Sequence, residues 1–130
     1  MTTVTISARG PAGPDEVWDR YARPARWPQW SPQIRGVDVA DERLRAGTRG
    51  RVIGPLGVAA TFRVEQWDDA TMRWSWTAWF GPLTLRLDHG VDARGTGSST
   101  FLTVHGALPV VLAYLPIARF ALWRLVRAAG

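Results

Sequence analysis

From Thr3 to Ala8 the chain alternates polar and apolar residues, which predicts a strand with Val4, Ile6 and Ala8 on one face. Gly13-Pro14-Asp15-Glu16 then announces a helix. Proline suits the first helical position, and the two acids sit at the positive end of the helix dipole. This helix carries Val17, Trp18 and Tyr21 and must end before Pro24. The segment Arg26-Trp27-Pro28-Gln29-Trp30-Ser31-Pro32 has too many prolines for a long helix, so a short helical piece is expected there.

From Ile34 onward the period of two returns. Val37 and Val39 alternate with polar neighbours, and Thr48 to Ile53 is a second run closed by the turn residues Gly54-Pro55-Leu56-Gly57. Val58, Ala60, Phe62 and Val64 share one face, opposite Thr61, Arg63 and Glu65. After the turn Asp68-Asp69-Ala70-Thr71, the run Met72 to Trp79 puts Trp74, Trp76 and Ala78 together. Gly81-Pro82 leads into Leu83 to Val91, where Leu85, Leu87, His89 and Val91 oppose Thr84, Arg86 and Asp88. Small residues from Arg94 to Ser98 precede a last strand, Ser99 to Gly106, with Leu102 and Val104 inward. Short strands joined by tight turns, with no helix between them, form an antiparallel meander.

Pro109 to Ala128 switches to a helical period. Val111, Tyr114, Leu115, Ala118, Leu122 and Leu125 line one side, and Arg119, Arg124 and Arg127 fall in another sector. Pro116 is expected to kink this helix, and Arg119 with Pro116 argues against a membrane span. A helix this apolar needs a sheet to lie on, and the inward strand faces supply one. The fold class is therefore α+β, a curved antiparallel sheet cradling the C-terminal helix with an apolar cavity between them.

Composition narrows the chemistry. The absence of cysteine excludes disulfides, thiolate nucleophiles and cysteine metal sites. The formal charge of +5 comes entirely from arginine, with no lysine, and the arginines interleave with acids, as in Asp38-Val39-Ala40-Asp41-Glu42-Arg43. No nucleic-acid partner is expected from that scatter. Met1 to Arg9 lacks a charged segment followed by an apolar run, so no signal peptide is expected and a soluble cytoplasmic protein is the reading. Eight tryptophans exceed the needs of a core this size, and tryptophan favours places that are dry at one end and polar at the other.

His89 is the ionisable side chain of most interest, because strand phase aims it into the cavity among leucines and a valine. It is the best catalytic candidate; a satisfied core histidine is the plain alternative. His105 falls on the outward phase, and Asp88 points away from His89, so neither a shared metal nor an Asp–His89 dyad is expected. Gly95-Thr96-Gly97-Ser98-Ser99-Thr100 joins two strands and opens no helix, which makes it a hairpin turn and not a phosphate loop. The inward faces offer no carboxylate pair, and no metal or cofactor is expected.

Several short motifs occur in a telling order. They are Ala12-Gly13-Pro14-Asp15-Glu16-Val17-Trp18, Trp27-Pro28-Gln29-Trp30-Ser31-Pro32, Leu44-Arg45-Ala46-Gly47-Thr48-Arg49-Gly50 and Val64-Glu65-Gln66-Trp67. His89 on the sixth strand, Gly97-Ser98-Ser99-Thr100 before the seventh and Gly106 ahead of the long helix complete them. Together they resemble the SRPBCC (START-like, birch-pollen-allergen-like) superfamily, and within it the polyketide cyclase/dehydrase group. The resemblance implies a single helix-grip domain over residues 1–130: a seven-stranded antiparallel sheet around the C-terminal helix, with two short helices after strand 1. It also implies that the short helical connection lies near the cavity mouth, making Trp27 and Trp30 candidate gates. The terminal helix, stopping soon after Leu125, is shorter than in many members.

The resemblance implies a protein that binds a small hydrophobic molecule, such as a lipid, polyketide or aromatic metabolite, or an enzyme of the cyclase/dehydratase type working in the same cavity. The candidate ligand-binding residues are Trp27, Trp30, Phe62, Trp74, Trp76, Leu87, His89, Tyr114, Leu115, Ala118 and Leu122. For any one aromatic among them, plain core filling is the competing reading, and the Tyr114 hydroxyl can serve a ligand or a backbone carbonyl. An interaction protein using its arginine-rich surface is the third reading. A monomer or homodimer with no stable membrane insertion is expected.

Overall fold

The computed structural model describes residues 1–127, so Ala128, expected to end the last helix, lies outside the described residues. Strand β1 (Thr2–Gly10) is followed by helix α1 (Pro14–Ala22), a 3-10 turn at Pro24–Arg26 and the single-turn helix α2 (Trp27–Trp30). Strands β2 (Gly36–Val39), β3 (Arg49–Ile53), β4 (Ala59–Asp68), β5 (Arg73–Phe80), β6 (Leu83–Arg94) and β7 (Gly97–Gly106) then lead to helix α3 (Leu108–Arg127). The seven strands form one antiparallel sheet in the order β1-β7-β6-β5-β4-β3-β2. Sequential hairpins account for every neighbour except β1 and β7, which pair from Thr2 opposite Gly106 to Gly10 opposite Ser98. With α3 lying on the concave face, this is the helix-grip fold.

Local chemistry sets the element ends. Helix α1 has Pro14 in its first turn with Asp15 and Glu16, and it stops at Ala22 before Pro24. It buries Val17, Trp18 and Tyr21, as the apolar spacing requires, and also Arg20. The Arg20 guanidinium donates to the Leu125 carbonyl oxygen of α3 and meets Glu16 at 3.3 Å. Burial lowers the pKa of this arginine, and the Glu16 charge opposes that shift.

Three features of the sheet go beyond the expected pattern. Met72 sits in the β4–β5 turn at φ 52° and does not start β5. The β6–β7 hairpin is tighter than its small residues imply: pairing runs on to Arg94 opposite Gly97, and Gly95 takes φ 58° at the turn. Third, a bulge falls between Val64 and Gln66. The extra residue shifts the strand phase, so that Trp67 comes to lie opposite Trp74 and stacks on Trp18 at 4.4 Å.

Helix α3 packs chiefly against β1 and β7. Val111, Ala118, Ala121, Leu122, Leu125 and Val126 are buried, and the helix continues through Pro116, which faces outward. Length and composition alone would admit α3 as a membrane span, contrary to the argument from Arg119 and Pro116; a third of its most apolar window is buried inside the fold. At its far end the backbone of β1 comes very close. Ala12 N–H donates to Val126 O at 3.0 Å, and Ser98 Oγ donates to Ala12 O at 2.7 Å. Gly97 makes room for this: a Cβ there would stand 2.1 Å from the Gly10 carbonyl oxygen.

Candidate functional site

The space between sheet and helix has two unlike halves. Toward α1 and α2 it is packed with aromatic rings. Tyr21 and Phe62 are fully buried, and Trp27, Trp74 and His89 nearly so. The Trp74 indole lies almost parallel to the His89 imidazole at 4.7 Å and to Trp76 at 5.6 Å. Trp27 fills the gap to Phe62 and Trp76 at 5.6 and 5.5 Å. Only about 40 Å³ remains open here, beside Trp30, Ser31, Trp74, His89, Leu102 and Ala118. That suits a water molecule and no larger guest.

A directed hydrogen-bond chain runs through this packed half. The Trp76 indole can only donate, and it donates to His89 Nε2 at 2.9 Å. Nε2 must therefore carry a lone pair, which leaves the proton on Nδ1. Nδ1 faces the Tyr21 hydroxyl at 3.2 Å and donates to it. Tyr21 in turn donates to Thr100 Oγ1 at 2.6 Å, and Thr100 donates to the Gly90 carbonyl oxygen at 2.8 Å. Both nitrogens of His89 are thus engaged. Burial pushes its pKa down to about 3, so it is neutral at physiological pH. Burial also raises the Tyr21 pKa, with the Thr100 hydrogen bond pulling the other way.

This geometry removes His89 as the best catalytic candidate. The imidazole has no free lone pair or proton to offer a molecule in the cavity, and the satisfied core histidine is the outcome. Trp27 and Trp30 are likewise not gates. They are 2% and 6% exposed, and their indole N–H groups donate to the backbone oxygens of Tyr21 and Arg20 at 2.9 and 3.3 Å. Such anchored rings hold α2 on α1.

The other half is an open chamber of about 300 Å³. Its sheet wall carries Ala60, Trp76, Ala78, Leu85 and Leu87, and its helix wall Val110 and Tyr114. Val58, Phe80 and Leu83, all exposed, stand at its mouth with the Pro55–Gly57 turn. No acid, arginine or histidine lines it; its polar side-chain groups are the Gln33 amide, the Tyr114 hydroxyl and the Trp76 indole already held by His89. Burial alone lifts the Tyr114 pKa to about 12, with no hydrogen-bond partner contributing. The hydroxyl is a neutral donor on an apolar wall.

The residues expected to form the site are thereby divided. Trp76, Leu87 and Tyr114 line the chamber. Trp27, Trp30, Trp74, His89, Ala118 and Leu122 border only the small inner gap, while Phe62 and Leu115 border neither. Missing from the expected set were the mouth residues Phe80 and Leu83. Their signal was available, because large apolar side chains flanking an exposed Gly-Pro hairpin tip have no core reason to be there.

On the outer face of the sheet, Asp88 accepts from His105 Nε2 at 2.8 Å, and His105 Nδ1 meets Thr3 Oγ1 at 3.0 Å. Asp88 thus turns from His89, as strand phase requires, and finds the other histidine. Among the described residues no three acidic or histidine side chains converge as a metal site.

Solved structures share this architecture. The di-domain ARO/CYC BexL from the BE-7585A biosynthetic pathway aligns with a TM-score of 0.79 and 21% identity, over 97% of this chain and 45% of that one. A hypothetical protein from Helicobacter pylori aligns with a TM-score of 0.77 and 17% identity, over 96% and 86% of the two chains. Ara h 8.0201 aligns with a TM-score of 0.71 and 16% identity, over 92% and 94%. At these identities the likeness shows the fold alone. No curated protein matches the sequence. The family model described as "Polyketide cyclase / dehydrase and lipid transport" matches residues 1–129. The chain therefore belongs to the polyketide cyclase/dehydrase and lipid transport family.

Proposed function

We propose that the chamber bounded by Trp76, Ala78, Leu85, Leu87 and Tyr114 encloses a small hydrophobic molecule, and that the protein acts by binding it. The observation that carries this reading is a chamber of about 300 Å³ whose wall bears no charged side chain. That volume lies at the lower end of ligand pockets, so it suits a short acyl chain or a compact ring system. Apolar burial would supply the affinity at about 25 cal/mol per Å². The Tyr114 hydroxyl would orient one acceptor on the guest, and Trp76 would give its ring face.

Filling the chamber tests this. Ala78→Trp projects an indole into the open space, and the variant is expected to fold while taking up no ligand. Thermal denaturation of wild type with fatty acids and aromatic polyketides should show stabilisation by about 2.7 kcal/mol at a hundredfold excess over Kd, lost in the variant. Equal stabilisation of both proteins would refute the assignment. Tyr114→Phe is expected to weaken guests bearing a carbonyl by up to about tenfold and to leave pure hydrocarbons unaffected, read by calorimetry.

A cyclase reading of the same chamber has only the Tyr114 hydroxyl as a proton donor on the wall, because His89 is sealed. Such an enzyme would act mainly by holding a reactive chain folded and dry. Turnover of an aromatic polyketide precursor, with product absent from the Ala78→Trp reaction, would favour it over simple binding.

A further inference from the structure

The outward half of α3 carries large apolar side chains as well as its arginines. Leu112, Phe120 and Trp123 are about half exposed, with Leu108 and Ile117 beside them. A solvent-facing helix normally turns charged residues outward. Here the only charges are Arg119, Arg124 and Arg127, and no acid occurs between Leu108 and Arg127. Arg124 lies over the Phe120 ring at 5.9 Å, and Arg127 over the Trp123 ring at 5.2 Å. Exposed aromatics with arginines folded along them, in a helix without carboxylates, are what an anionic bilayer surface rewards: rings enter the headgroup boundary while guanidiniums stay with the phosphates.

We propose that this outward face of α3 docks the protein, peripherally and reversibly, on an anionic lipid surface. Charge decides against a second copy as the occupant. A twofold interface would set the same acid-free arginine patch against itself, and like charges would oppose. The formal +5 of the whole chain adds long-range attraction of the right sign. Position supports the assignment as well. The same helix carries Val110 and Tyr114 on the chamber wall, and exposed Phe80, Leu83 and Val58 stand at the chamber mouth. The docking face rests on its own side chains and stands whether or not the chamber holds a guest.

Vesicle flotation tests it. The full chain is mixed with vesicles of phosphatidylcholine alone, or of phosphatidylcholine with phosphatidylglycerol, at low and high salt. Wild type is expected to float with the phosphatidylglycerol vesicles at low salt, and to stay with the soluble fraction at high salt or on phosphatidylcholine alone. Phe120→Ser with Trp123→Ser should lower partitioning by more than about tenfold. Arg119→Gln and Arg127→Gln should each lower it about fivefold and flatten the salt dependence. All four residues are at least partly solvent-exposed, so thermal unfolding without vesicles should be nearly unchanged, which separates lost docking from lost fold. Failure of wild type to float with phosphatidylglycerol, equal binding to both vesicles, or unaltered binding of the variants would overturn the proposal. So would a concentration-dependent dimer that the Phe120 and Trp123 changes dissociate, since the face would then be an interface between copies.

Discussion

Lowering the pH from 7 to about 4.5 is expected to cost the fold roughly 2 to 3 kcal/mol through His89 alone. The imidazole has a pKa near 6.5 when the chain is unfolded and about 3 when folded. Between those values the unfolded chain binds a proton that the folded one refuses. Stability from this group is therefore intact above pH 6.5 and falls as the pH drops through the window, by up to about 1.4 kcal/mol per unit. A domain with a total stability of about 5–15 kcal/mol would feel the loss clearly. Urea denaturation at several pH values measures it. His89→Gln should remove most of the slope, because glutamine can accept from Trp76 and donate to Tyr21 without titrating. An identical slope in the variant would show that other groups govern acid sensitivity.

Gly97→Ala is expected to be the most damaging single methyl that can be added. Its Cβ would stand 2.1 Å from the Gly10 carbonyl oxygen and 3.0 Å from Pro11 Cα. These are backbone atoms held by the β1–β7 ladder and by the contact of Ala12 with Val126, so no side chain can turn aside. Relief requires β1 to lift from β7 and from the end of α3 together. The cost should reach about 3 kcal/mol or more, seen as a lower midpoint in chemical denaturation. Gly36→Ala is the control. Nothing lies within 4 Å of its Cβ position, and that change is expected to be neutral or slightly stabilising. Equal stability of the two variants would mean that the β1 junction yields more easily than its geometry implies.

Much of the architecture was legible because burial on one sheet face forces a period of two. Phe62, Trp74, Trp76, Leu87 and His89 could be assigned to the inner face from alternation alone, and the apolar stripe of α3 from its helical period. What alternation does not contain is volume. Whether inward residues meet across the middle depends on side chains brought from elsewhere, and Tyr21 and Trp27 arrive from α1 and α2 to fill one end. At the other end Ala60 and Ala78 are small and no ring from α1 or α2 lines the space before them, so it stays open. The state of His89 was hidden for the same reason. Its partner Tyr21 lies 68 residues away, and only the packing of α1 on the sheet brings the hydroxyl to Nδ1. Pairing of Asp88 with His105 likewise needs the β6–β7 register, which no local pattern states.

Trp76 stands at the boundary of the packed and open halves, and it is the one tryptophan among the chamber's lining residues. Trp27, Trp30 and Trp74 are nearly dry already. An arriving guest would change the solvent beside one buried-edge indole and leave those three as they were. The difference in ultraviolet emission between the empty and filled protein should therefore belong largely to Trp76. Occupancy can then be followed in real time without any label, and its rise and decay would give the rates of entry and exit as well as the affinity.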